Sequence, residues 1–174
     1  MRNAILVDIN GTLSDVSKVV HMIKGAEKDW VGFFEAMNTD QVKVNKMVKE
    51  FIKRFKPHYA IVLVSGAPDR YKEQTKSWLR RNGVLWDDMF FRPDWDKRRG
   101  FQFKKTLYEK RIKNLYRVKL ALDDKADACK TWTDLGIQCW KLPSDMDEAN
   151  QRSISTEPGK RFAHLVKPTN RTPN

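Results

Sequence analysis

The chain has 174 residues, 40% of them hydrophobic, enough to bury a core and within the size of one ordinary domain. Its 34 Lys and Arg outnumber 22 Asp and Glu for a formal charge of +12, so its field attracts polyanions, nucleic acid first, unless the charge serves only solubility. No apolar run approaches the ~20 residues of a membrane span and MRNAILVDIN lacks a signal-peptide pattern, which excludes a membrane protein and predicts a cytoplasmic one.

The first apolar run, AILV (4 to 7), ends in DINGT. Residues 14 to 38 then form an insertion, read as a small helical cap because it carries the aromatic run DWVGFF. Val44, Val48, Phe51 and Phe55 share a helical face that Pro57 stops. A second run, AIVLV (60 to 64), ends in Ser65 and Gly66. Pro68 opens the next helix as its first residue, with Tyr71, Thr75, Trp78 and Leu79 inward and Gly83 at its end. Gly100 precedes a helix with Phe103, Leu107, Tyr108 and Ile112 inward. VKLAL (118 to 122) ends in Asp123 and Asp124, a helix follows from about Lys125 to Leu135 with Gly136 as its stop, and IQCW (137 to 140) is the last run. Residues 1 to 142 read as the domain, and 143 to 174 as a C-terminal extension whose basic end is flexible or orders on a ligand. Cys129 and Cys139 are too few and too far apart for a disulfide framework or a zinc site, and read as reduced core residues.

The apolar runs are near-continuous rather than alternating, as in central parallel strands covered on both faces. Strand and helix alternate, so the expected fold is α/β: an open, mainly parallel Rossmann-like sheet with helices on both faces and a small cap. Ligands of such sheets sit where the C-terminal strand ends open into a crevice. Three strands end there in distinctive residues: Asp8 to Thr12, Ser65 with Gly66, and Asp123 with Asp124. Singly each has a plainer reading as a turn or helix cap. Together they suit phosphoryl transfer through a carboxylate nucleophile, Asp8. A hard cation such as Mg²⁺ would sit between Asp8, Asp123 and the carbonyl of Asn10, with Thr12 and Ser65 as donors to phosphoryl oxygens. Lys104 or Lys105 would add positive charge, although two lysines on a helix are more often a solvated face. No P-loop or internal repeat is present, and no feature sets an oligomeric state.

DINGTL, LVSG and LALDDKAD, with Asp127 four residues after Asp123, resemble the first, second and fourth motifs of the haloacid dehalogenase (HAD) superfamily. More narrowly, the segments VLVSG, FFRPDWDKRRG and VKLALDDKADACKTWTDLGIQCWKL are similar to the 3′-phosphatase domain of T-even bacteriophage polynucleotide kinase-phosphatase. DWVGFF and the RPDWD loop also resemble stand-alone phage phosphatases. The resemblance covers roughly residues 3 to 142. It implies a HAD fold and a Mg²⁺-dependent polynucleotide 3′-phosphatase without the kinase, acting on DNA or RNA 3′ ends in end repair, in host cytoplasm if phage-encoded. It implies Asp8 as nucleophile and metal ligand, Ser65 as phosphate donor, Arg92 as a phosphate-binding arginine and Lys104 as the third-motif lysine. Asp123 then contacts metal, and Asp124 acts through water or a hydrogen bond. The family's arginine after the second-motif glycine is here Ala67, with Arg70 or the loop Lys97, Arg98 and Arg99 as substitutes.

Asn10 departs from the family, which has there the acid that protonates the leaving oxygen and later activates water. An amide has no proton to exchange near neutral pH, and the loss is worth roughly 10²- to 10⁴-fold per step. Metal binding is expected to survive, because the backbone carbonyl remains. Three readings stand: an engineered Asp-to-Asn exchange, a natural enzyme in which water or Asp15 moves the proton, and a noncatalytic binder of phosphorylated ends. A small-molecule nucleotide phosphatase is the enzymatic alternative. The charge favours a polynucleotide; Trp30, Phe33 and Phe34 in the cap and Trp95 in its charged loop are candidate base-stacking residues. At least two of the cap aromatics are expected to pack inward, leaving Trp95 as the better stacking candidate.

Overall fold

The computed structural model describes residues 1–24, 26–144 and 146, so the basic end of the expected extension lies outside the described residues. In chain order the strands are β1 (Arg2–Asp8), β2 (Ser14–Asp15), β3 (Lys43–Val44), β4 (Ala60–Pro68), β5 (Asp88–Arg92), β6 (Tyr116–Asp123) and β7 (Cys139–Lys141). The helices are α1 (Trp30–Ala36), α2 (Lys46–Phe55), α3 (Lys72–Arg81), α4 (Gly100–Leu107), α5 (Lys113–Leu115) and α6 (Ala126–Asp134), with a π-helical turn at Tyr108–Ile112 joining α4 to α5. Five strands form one parallel sheet in the order β5-β4-β1-β6-β7.

Both faces of the sheet are covered, the physical cause of the near-continuous apolar runs. Ile5 and Val7 of β1, with Ile61, Leu63, Leu120 and Leu122, pack against α1, α2 and α3. The alternate residues Ala4 and Leu6, with Ala60, Val62 and Ala121, meet Phe103 and Leu107 of α4 and Trp132 of α6 on the other face. The chain builds outward from β1 through β4 to β5 and then crosses back to β6 and β7 on the other side of β1, so the strand order reverses beside β1 and the crevice opens at the C-terminal ends of β4, β1 and β6.

Several local expectations are corrected. β5 was not expected: its buried Met89, Phe90 and Phe91 make an apolar run too short to stand out. Pro68 is not a first helical residue; it ends β4 in extended backbone, φ −60° and ψ 144°, and α3 starts after a 3₁₀ turn, Asp69–Tyr71. A register shift between Ser65 and Pro68 lets β4 rejoin β5 beyond Gly66 and Ala67. Val44 belongs to β3, not to the helix, because the Asn45 side chain accepts from the Met47 and Val48 amides and starts α2 there. β2 and β3 pair antiparallel and close the insertion at its base, beyond the expected end at residue 38; within it lie a 3₁₀ turn, Val20–Ile23, and α1. β7 starts at Cys139 rather than Ile137. The two thiols are free and lie side by side between α6 and β7. Among the described residues no helix is long and apolar enough to cross a membrane.

Asp87 fastens the edge of this sheet away from the crevice. Its carboxylate accepts from Arg2 Nη1 at 2.8 Å, Lys56 Nζ at 2.9 Å and the Ile61 amide at 2.7 Å. Burial works against its charge, yet the hydrogen bonds from Lys56, Ile61 and Arg2 outweigh it and hold the carboxyl below its ordinary range. Asp87→Ala is expected to lower stability by about 1–3 kcal/mol. Urea midpoints at pH 7 check this, and an unchanged midpoint would contradict it.

Candidate active site

β1 and β6 end side by side and bring Asp8 together with Asp123 and Asp124. One oxygen from each lies within 4.8 Å of the others, and all three residues are buried. Lys104, buried on the inner side of α4, reaches between them with Nζ 2.7 Å from Asp8 Oδ1 and 2.6 Å from Asp123 Oδ2. Lys105, one residue on, is exposed. Trp132 of α6 donates its indole N–H to Asp123 Oδ2 at 3.1 Å, and the Lys125 amide donates to Asp123 Oδ1 at 3.4 Å. The Thr12 hydroxyl is fully buried and donates to Asp124 Oδ1 at 3.3 Å; it serves the acidic pair rather than facing the crevice. Gly11 has φ +94°, and a Cβ there would run into the Asp124 carboxylate, so the turn after β1 packs on the acids only with glycine at this position.

Three carboxylates share one ammonium here. Burial pushes the Asp8 carboxyl up to about 7; Lys104 pulls it down, and Asp123 and Asp124 push it further up. Burial, then the charge of Asp123, raises Asp124 as well. Burial opposes the charged form of Lys104, but Asp123 and Asp8 outweigh it and hold its pKa above the ordinary value. Among the described residues Asp8 Oδ2 is buried with no hydrogen-bond partner, whereas a side-chain hydrogen bond from Ser144 reaches the Asp124 carboxyl. An unpaired carboxylate oxygen at a cluster of three buried carboxyls is what a hard, oxygen-seeking cation satisfies, so the residues present fit Mg²⁺.

Over this floor opens a cavity of about 810 Å³, into which Asp8, Asn10 and Lys104 all reach. Among the described residues that line it, eight besides Lys104 are Lys or Arg, against Asp8 and Asp127 as the acids. The floor therefore attracts a cation and the wall an anion. Gly66, Arg70, Arg92 and Lys97 line it, and Lys24 and Lys28 of the insertion, which the sequence did not single out, join them. Arg92 Nη1 donates to the Arg98 carbonyl at 2.7 Å, which fixes its head at the wall. Arg70 pairs with Asp94 at 3.3 Å, and Lys97 Nζ donates to the Asp94 carbonyl. Ser65 is buried, and its Oγ accepts from the Ala67 amide at 3.1 Å, leaving the hydroxyl proton for another acceptor.

Other expectations fare differently. Trp95 is 77% exposed and is not among the cavity-lining residues, whereas Trp30 is one of them. Phe33 and Phe34 are buried in the insertion and also border the cavity. Asp15 is exposed, and its Oδ1 accepts from the Ser17 amide at 3.0 Å, a local turn outside the cavity wall. Trp132 was missed because its indole reaches Asp123 across a helical turn that no sequence spacing marks.

The sign of the Asp8 shift gives a test. A folded pKa near 7, above the unfolded value of about 3.9, means the folded state keeps a proton that the unfolded chain has released. The stability tied to Asp8 is therefore full below about pH 4 and is lost as pH rises through about 7, on the order of a few kcal/mol. In EDTA, melting temperature is expected to fall across that window; Asp8→Asn should flatten the fall and melt higher at pH 8. A variant with the parent's slope would contradict the assignment.

The model of the polynucleotide kinase PNKP phosphatase domain matches residues 2–145. A chain of the Pnkp1/Rnl/Hen1 RNA repair complex is 26% identical with a TM-score of 0.70, over 83% of this chain and 43% of that one. This chain thus spans less than half of that protein. The class C acid phosphatase of Bacillus anthracis with tungstate bound is 17% identical, TM-score 0.61, over 95% of this chain and 80% of that one. A haloacid dehalogenase-like hydrolase of Streptococcus pneumoniae is 9% identical, TM-score 0.61, over 95% and 99% of the two chains. The last two share the fold. With its parallel sheet, buried acidic floor and match across residues 2–145, the chain belongs to the PNKP phosphatase-domain family of the HAD superfamily.

Proposed function

We propose that this chain is the scaffold of a Mg²⁺-dependent polynucleotide 3′-phosphatase whose turnover is slowed by Asn10. The observation that carries the reading is the joining of a carboxylate floor, with Lys104 in it, to a wall with eight further Lys or Arg among the described residues of one cavity. A terminal phosphate needs the first, and the flanking phosphates of a polynucleotide reward the second.

In this reading Asp8 attacks phosphorus, an O–P bond forms to its carboxylate, and the bond to the ribose 3′ oxygen breaks. Water then attacks the aspartyl phosphate, releasing inorganic phosphate and restoring Asp8. Mg²⁺, held by Asp8, Asp123, Asp124 and the Asn10 carbonyl, would offset the repulsion between carboxylate and phosphate. Lys104 keeps Asp8 and Asp123 in place and adds positive charge beside the phosphoryl oxygens, while Ser65 donates its hydroxyl proton to one of them. Arg92 holds the phosphate from the wall; Arg70 and Lys97, which also line the cavity, supply the charge that Ala67 lacks. The leaving oxygen needs a proton that the Asn10 amide does not supply. Asp15, tied to the Ser17 amide, is poorly placed to replace it, which leaves solvent water as the donor.

Asn10 also favours a second reading, a noncatalytic binder of phosphorylated ends, and one experiment separates the two. Phosphate release from a 3′-phosphorylated oligonucleotide with Mg²⁺ is expected to rise roughly 10²- to 10⁴-fold in Asn10→Asp with little change in KM. Asp8→Ala is expected to be inactive. If the aspartate variant stayed at the level of Asp8→Ala while binding the oligonucleotide, the chain would be an end binder.

A further inference from the structure

The cavity wall is not uniformly polar. Trp30, at the start of α1, is 41% exposed and lines the cavity that contains Asp8 and Lys104. Its ring stacks on Phe34 with centroids 5.8 Å apart and planes 27° apart. Phe33 meets the same indole edge-on at 6.0 Å and 84°. Phe34 in turn packs on Tyr71 at 5.4 Å, and the Arg70 guanidinium sits over Tyr71 at 5.0 Å. An aromatic ladder therefore runs from the buried interior to one half-exposed indole beside a basic cavity. Asp29 Oδ1 accepts from the Gly32 amide at 2.7 Å and fixes the helix that carries the indole.

Such a surface has a definite chemical preference. A large ring supported from behind is already ordered, so stacking on its free face loses little conformational freedom. The eight cationic side chains that line the cavity with it, apart from Lys104 in the floor, reject a cationic or purely apolar occupant and select a polyanion. At about 810 Å³, the cavity lies high in the range of about 300–1,000 Å³ usual for small-molecule sites, larger than one phosphate needs.

Resting on the phosphatase reading above, we propose that Trp30 is the stacking platform for the base of the 3′-terminal nucleotide of a single-stranded polynucleotide, seated while its phosphate lies at Asp8. Lys24 and Lys28, on the same insertion, hold the phosphate that precedes that nucleotide. Trp30 is a specificity residue: it selects a base-bearing end over a bare phosphate ester, and it tolerates any base because every base offers a π face.

The test is fluorescence anisotropy with Mg²⁺ and a 5′-labelled single-stranded oligonucleotide in three forms: 3′-phosphorylated, the same with an abasic last residue, and 3′-hydroxyl. The parent is expected to prefer the 3′-phosphate. Trp30→Ala should bind the base-bearing 3′-phosphate roughly ten-fold more weakly and the abasic one as the parent does; Trp30→Phe should recover most of the loss, and Trp95→Ala should change nothing. If Trp30→Ala weakened both 3′-phosphorylated forms equally, or neither, while the parent kept its preference for the phosphate, the platform alone would fall. Equal binding of phosphate and hydroxyl ends by the parent would overturn the phosphatase reading and the platform with it. Matched thermal melts keep a folding defect from imitating the first result.

Discussion

One buried ammonium holds the site in shape. Lys104 contacts Asp8 and Asp123 at 2.7 and 2.6 Å, with Asp124 pressed against the same centre. Three buried carboxylates near one cation are not electrically balanced, which is why burial and mutual repulsion push Asp8 up to about 7. Such an arrangement costs folding stability and persists only if the surrounding structure enforces it. Two neighbouring strand ends, a helix across the sheet edge, and the indole of Trp132 do so. The excess negative charge on the floor is then the reason a cation belongs there, and the Asp8 oxygen that has no partner among the described residues marks where it is wanted.

The sheet supplies the rest of the geometry. β1 lies between β4 and β6, so a turn at its C-terminal end is bordered by Ser65 on one side and Asp123 on the other. The shift in β4 register after Ser65 turns Gly66 and Ala67 toward the cavity. The insertion closed by β2 and β3 then lines the cavity with Lys24, Lys28 and Trp30. Sheet and insertion thus divide the work: the sheet concentrates acid, and the insertion with the loop before α4 concentrates base and aromatic surface.

That Asp8, Ser65 and Asp123 come together at one sheet edge was legible in the sequence because each follows an apolar run and strand ends of one parallel sheet must meet. The alternation of runs and helices likewise sufficed for the α/β architecture. The residues alone left Lys104 and Lys105 open, and only the family resemblance chose Lys104; in the structure Lys104 turns inward beside the buried Phe103, while Lys105 turns out. Where a decision needed tertiary contact, local pattern failed. A polar neighbourhood made Trp95 look like the stacking residue, yet it stands in solvent outside the cavity, while Trp30 reaches the wall because Phe34 behind it is anchored in the core. Thr12 looked like a phosphate donor until its hydroxyl was found on Asp124. β5 was invisible because three buried residues between charged ones give no periodicity.

The most direct measurement of whether Asp8 is the group that takes the phosphoryl moiety is binding of beryllofluoride, a mimic of a phosphorylated carboxylate. Fluorine NMR of the protein with beryllofluoride and Mg²⁺, followed by a crystal structure, reads it without any turnover and so independently of Asn10. Nucleophilic catalysis predicts a bound signal with beryllium bonded to an Asp8 carboxylate oxygen beside Lys104, lost in Asp8→Asn and on removal of Mg²⁺. A bound signal of equal strength in Asp8→Asn, or beryllium seated away from Asp8, would contradict it.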